Sequence, residues 1–216
     1  ELASRPAPAT SDGDDSADAT RPADHPDPRR GIAVGATIMV LTQIAMVAIM
    51  TMTPVHMRHH GHSLGEVGFV IGMHIAAMFL PSPLTGRLVD RLGRVPMSIA
   101  SGLTLLAAGV LAAAAPGDSM VLLTLALVLL GLGWNFGLIA GTALLIDATS
   151  LEDRARVQGA VDVLIALAGA GGGAMSGVVV GATSFAALSL GGGVLALLLV
   201  PAVVWHRQVP DPEAAG

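Results

Sequence analysis

The chain has 216 residues, 53% hydrophobic and 12% charged, with a mean hydropathy of +0.71. A soluble domain usually carries about 25% charge, so the composition excludes an ordinary soluble fold. The net charge of −5 is misleading taken whole, because Glu1, Asp12, Asp14, Asp15, Asp18, Asp24 and Asp27 crowd the first thirty residues. Cysteine and lysine are both absent. That removes thiol catalysis, disulfides and Cys-based metal sites, along with Schiff-base and P-loop chemistry. No cofactor is implied. No basic patch interleaves with aromatics, so nucleic acid is not an expected partner.

Residues 1–30 hold almost no large apolar side chains. They read as a disordered cytoplasmic linker, because they bury too little surface to offset ordering entropy. The first residue is Glu1, and the chain is expected to be a fragment or a processed product. The first span is predicted over about Ile32–Val55, long enough for a bilayer core of about 30 Å, with Pro54 marking its end. A loop from His56 to Glu66 follows. The second span runs over Val67–Leu84, bent at Pro81 and Pro83. Further spans are predicted over Val95–Ala115, Met120–Ile146 and Val157–Val180, and a sixth ends near Trp205. Residues 31–207 thus form a six-helix transmembrane domain, and 208–216 a cytoplasmic tail. Arg29, Arg30, Arg87, Arg91, Arg94, Arg154, Arg156 and Arg207 all fall on one side, which places both termini in the cytoplasm. Glycine and alanine recur every fourth residue at Gly68/Gly72/Ala76, Gly133/Gly137/Gly141 and Gly169/Gly173/Gly177, as helix packing in lipid favours.

Between the second and third spans lies Gly86-Arg-Leu-Val-Asp-Arg-Leu-Gly-Arg-Val-Pro96. It reads as a tight loop, with Gly86 and Gly93 turning the backbone. Asp90 is placed to cap a helix N-terminus, and Arg91 and Arg94 to pair with acids at helix ends. Gly86, Leu88, Asp90, Arg91, Gly93 and Arg94 fit G-x-L-x-D-R-x-G-R. This resembles the signature loop of the major facilitator superfamily, which joins the second and third helices of a six-helix half. The resemblance implies an all-α membrane protein whose six transmembrane helices are the C-terminal half of the bundle. It also implies a missing N-terminal half and alternating access around a midplane site. Asp147 resembles the acid that closes the charge network around that loop, and is expected near Arg91 or Arg94 in a gating role.

A strongly polar residue in mid-membrane tends to be functional. Gln43, His74 and Asn135 lie near the centres of their spans. Met39, Gln43, Met46 and Met50 share a helical face, as do His74 and Met78, and methionine adapts its shape to varied solutes. These residues and Trp134 are candidates for a substrate cavity, with core packing as the alternative for each. Asp162, about one turn inside the fifth span, is either a proton site or a partner of Arg156 or a signature-loop arginine. His56, His59, His60 and His62 raise the alternative of metal export, although no metal site is assigned. A rhomboid-type protease is excluded: Ser176-Gly177 is preceded by Ala174 where glycine is needed, and no histidine lies inside the final span. The expected activity is proton-coupled efflux of a small molecule, by resemblance. A non-transporting six-helix membrane partner or receptor subunit is the alternative.

Overall fold

The computed structural model describes residues 28–207. Most of the expected linker (1–27) and the tail (208–216) lie outside the described residues. The described chain is helical and without strands: α1 (Pro28–His59), α2 (Leu64–Phe79), α3 (Ser82–Leu92), α4 (Arg94–Ala114), α5 (Met120–Asp147), α6 (Arg154–Ala182), α7 (Phe185–Leu197) and α8 (Leu199–Arg207). Four of these, α1, α4, α5 and α6, are each long and apolar enough to cross a membrane. Together α2 and α3 make a fifth candidate span, bent by 40°. The sixth expected span is divided at Leu198. Pro201 has no N–H for the carbonyl of Leu197, which accounts for the break.

Helix boundaries differ from the sequence reading where proline is concerned. Pro28 opens α1 at a position where its missing N–H is harmless, so Arg29 and Arg30 belong to the helix and not to the linker. Pro54 does not end α1; the helix runs on to His59 with Pro54 inside it. Tertiary contacts hold that extra turn. Met57 is fully buried, and the His56 ring stacks on Phe185 at 4.2 Å. The expected loop therefore shrinks to residues 60–63, with Gly61 at φ 85°. Ser63 and Glu66 then form a reciprocal capping box that starts α2.

The expected signature loop is mostly helix. Residues 82–92 form α3, with Thr85 and Val89 buried one turn apart and Arg87, Asp90 and Arg91 exposed. Only Gly93 turns, at φ 96°, a conformation that favours glycine. Gly86 is helical and turns nothing.

The core lies where α5 packs along α4, α1 and α2, and where α7 closes on α4. Leu105, Leu123, Leu127 and Leu130 fill it with no exposure. Three helices meet at Gly137. A Cβ there would lie 2.5 Å from Thr42 Oγ1 on α1 and 2.6 Å from Ser101 Oγ on α4, so only glycine permits this approach. The stripe on α2 is different: Gly68 and Gly72 face open space. Their expected role in packing within this bundle is not what the structure shows. A large part of α6 is also uncovered, with 17% of its apolar window buried against 50% for α5.

Candidate functional site

Midway along α1, Gln43 meets α5. Its Oε1 accepts a hydrogen bond from Trp134 Nε1 at 2.8 Å. The amide nitrogen of Gln43 lies against α6, 3.0 Å from where a Cβ at Gly169 would stand. Phe79, at the end of α2, sets its ring edge-on to Trp134 with centroids 5.8 Å apart. Four helices thus converge on one amide and two aromatic rings. The Gln43 N–H donors are engaged by no side chain or carbonyl among the described residues. They are hydrogen-bond donors in a low-dielectric setting, beside aromatic surface. Such a set has the chemistry to receive a flat acceptor-bearing solute; among the described residues it holds no nucleophile and no paired acid and base.

Asn135 lies one residue further on α5 and does different work. Its Nδ2 donates to the Met78 carbonyl at 2.8 Å and to Ser82 Oγ at 2.9 Å. Its Oδ1 accepts from Thr85 Oγ1 at 2.5 Å. Pro81 and Pro83 carry no N–H, so the α2–α3 break strands carbonyls where water is scarce. Asn135 supplies a donor to the broken end. It is 2% exposed, and its amide groups are all engaged. Its geometry is that of a staple across the break.

The methionines do not form one wall. Met46 is buried in the main core, with Met50 and Met78 packed against it. Met39 lies in a separate cluster with Leu145 and Val161. His74 is fully buried, with Nδ1 2.8 Å from the Leu127 carbonyl. It is not part of the Gln43–Trp134 group.

At the other end, Arg94 Nε donates to Asp147 Oδ2 at 2.8 Å, and Nη2 reaches Oδ1 at 3.4 Å. This two-point contact ties the start of α4 to the end of α5. Asp90 and Arg91 form no side-chain ion pair or hydrogen bond among the described residues, so the expected capping by Asp90 is absent there. Leu88 packs against the cluster of Val89, Met97 and Ala140. Asp162 is exposed on α6 and pairs with neither expected arginine. Arg156 instead donates to Asp153 at 2.8 Å. That bond, followed by one from Ser150, holds the Asp153 carboxyl below its ordinary range.

Of the four histidines, His62 ties two loops together, while His60 contacts its own turn. The His60 Nδ1 approaches the His56 carbonyl at 2.8 Å, and His62 Nε2 approaches the Gly117 carbonyl at 3.0 Å. Among the described residues, no group of three or more His, Cys, Asp or Glu is placed to hold a metal ion.

The family model for the Major Facilitator Superfamily matches residues 35–216. The chain belongs to the major facilitator superfamily. Two relatives from Bacillus subtilis (strain 168) are similar to it over 184 residues. The uncharacterized MFS-type transporter YdeG is 68% identical, across 85% of this chain and 43% of its own length. The uncharacterized MFS-type transporter YddS is 66% identical, across 85% and 42%. A riboflavin transporter, RfnT, of Brucella anthropi is 37% identical over 126 residues, across 58% of this chain and 31% of its own length. The chain therefore spans under half the length of the relatives it matches. As a superfamily member it is an all-α, multi-pass membrane protein.

Phe79, Ser82 and Thr85 were absent from the sequence-derived site. Pro81 and Pro83 did hold a usable signal for the last two. A proline-broken span needs outside donors, and a buried amide on a neighbouring span is the natural source. Nothing in spacing distinguishes Phe79 from the other exposed apolar residues of α2.

Proposed function

We propose that this chain is the C-terminal six-helix half of a secondary transporter that moves a small, flat, uncharged organic molecule by alternating access. In this reading the molecule leaves the cell in exchange for protons, and both termini are cytoplasmic. The observation that carries the proposal is the Gln43–Trp134 pair at mid-membrane, with free amide donors beside two aromatic rings. The uncovered faces of α2 and α6 support a second half seated against them. The named substrate of the relative RfnT, riboflavin, is a molecule of the proposed kind. Arg94 and Asp147 would act as the gating contact at the cytoplasmic end.

The test is riboflavin transport in proteoliposomes holding the full-length transporter. Gln43→Ala removes the amide donors and is expected to raise KM about tenfold, the worth of one buried hydrogen bond. Trp134→Ala also removes the aromatic face and should weaken binding further. Transport that ignores both substitutions would remove this site from the function. No movement of riboflavin would remove the substrate proposal.

A further inference from the structure

One buried ionisable side chain has no role in the solute site. We infer that His74 carries the coupling proton of the transport cycle, accepting it at Nε2, in place of the exposed Asp162. This rests on the proton-coupled reading above and names the residue that performs the coupling.

The geometry fixes the tautomer. His74 has no solvent exposure, and its Nδ1 lies 2.8 Å from the Leu127 carbonyl. A carbonyl only accepts, so Nδ1 bears the hydrogen and the lone pair is at Nε2. That Nε2 is buried and has no hydrogen-bond partner among the described residues. A phenylalanine or methionine would fill the space without stranding an acceptor, and a stranded acceptor in a native core calls for a reason. An ionisable group in mid-membrane without a packing need is a site for a proton.

The surroundings make that proton consequential. On α2 the only other ionisable residue is Glu66, in the first turn. From α5, the only one is Asp147, at the far end. On α1, Arg29 and Arg30 stand at one end and His56, Arg58 and His59 at the other. None of these elements brings a charge to the level of His74. Protonation therefore creates a lone imidazolium whose Nε2–H lacks an acceptor, while Nδ1–H stays on Leu127. The seam around it is tight: a Cβ at Gly131 would lie 2.5 Å from the His74 carbonyl oxygen and 3.2 Å from Nδ1. Charge in a sealed seam favours a packing in which α2 parts from α5. One turn on, the Ala77 carbonyl lacks an i+4 donor because residue 81 is proline, so the broken end of α2 carries unpaired negative dipole on the same helix. Loss of the proton recloses the seam. Asp162, by contrast, is exposed on α6 and touches no such seam.

The test needs no substrate. Ala77→Cys places a thiol at the α2–α5 seam of the full-length transporter in liposomes; this chain has no other cysteine, and the unsubstituted transporter gives the background. Alkylation is followed from about pH 8 to about pH 5.5, the range in which a histidine titrates. Each rate is divided by that of the same thiol in a His74→Gln background, which cancels thiolate formation and the outer histidines. The ratio should rise about tenfold for each unit by which the proton affinity of His74 differs between the two packings. A flat ratio overturns the proposal. So does a profile that Asp162→Asn flattens while His74 is intact. His74→Asn guards against misfolding: it must match His74→Gln at high pH, and a pH response surviving in both variants also overturns the proposal. Failure of riboflavin transport would leave this readout intact, so the two readings fail separately.

Discussion

As sequences, α5 and α6 are nearly interchangeable. Their apolar windows have mean hydropathies of 2.1 and 2.0, and both carry glycines at four-residue spacing. In the bundle they diverge. On α5, Gly133 closes on Leu105, Gly137 on Thr42 and Ser101, and Gly141 on Met39, so two neighbouring helices crowd it. On α6, only Gly169 of the stripe comes close, with its Cβ position 3.0 Å from Gln43 Nε2; Gly173 and Gly177 make ordinary or marginal contact with α1, and Gly171 faces open space. A small-residue stripe therefore permits close packing but does not choose a partner. The difference divides the bundle into a closed core and a face that the described residues leave uncovered.

The sharpest way to break this contrast is to substitute glycine on both helices. Gly137→Leu drives a side chain into Thr42 and Ser101 and should cost about 3 kcal/mol or more. Gly171→Leu in this chain alone should change stability by less than about 0.5 kcal/mol. Thermal unfolding in detergent measures both. Equal losses would erase the distinction, and a loss at Gly171 confined to the full-length transporter proposed above would support a second half seated on α6.

Asn135 sharpens the same contrast, because it is the polar investment of α5 in its neighbours. Asn135→Leu strands the Met78 carbonyl and releases Ser82 and Thr85. We expect a loss of about 2 kcal/mol, given membrane hydrogen bonds of about 0.6–2 kcal/mol each. The same assay should show Asn135→Asp recovering little, since a carboxylate cannot donate to a carbonyl. A neutral Asn135→Leu would mean that the α2–α3 break needs no staple.

The smallest effect belongs to the start of α6. The Asp153 carboxyl is held low by Arg156 and then Ser150. Its folded pKa lies below its unfolded value, so its contribution is present above the unfolded pKa and fades as pH falls through the folded one. Arg156→Gln should therefore flatten a shallow stability slope at about pH 4 and below and leave neutral pH almost unchanged. The Asp153 side chain is exposed, so added salt should weaken the slope too.

Much of the bundle was legible from apolar runs, because span length follows from membrane thickness. Helix ends near proline were less so. Pro54 reads as a stop, yet Met57 and the His56–Phe185 stack carry the helix past it. Proline weakens a helix locally, and distant contacts decide whether that suffices. The charged motif read as a loop because Asp90, Arg91 and Arg94 dominate it. The Thr85, Leu88 and Val89 spacing beneath them has helical period, and α3 follows that period. Among the site residues, mid-span polarity marked Gln43, His74 and Asn135 together. Nothing in their spacing separated an amide facing two aromatic rings from a histidine sealed in a seam and an asparagine closing a break.

By itself, the sequence determined that this chain is a membrane protein, which apolar runs become its long helices, and which family it resembles. These depend on composition, run length and a local motif, which need no fold to be read. Only the tertiary structure decided that Asp147 meets Arg94 and not Arg91, that Asn135 is occupied by a broken helix, and that Asp162 stands on an open face. Those outcomes depend on which atoms from distant segments reach within about 3 Å of one another, and no local pattern encodes that distance.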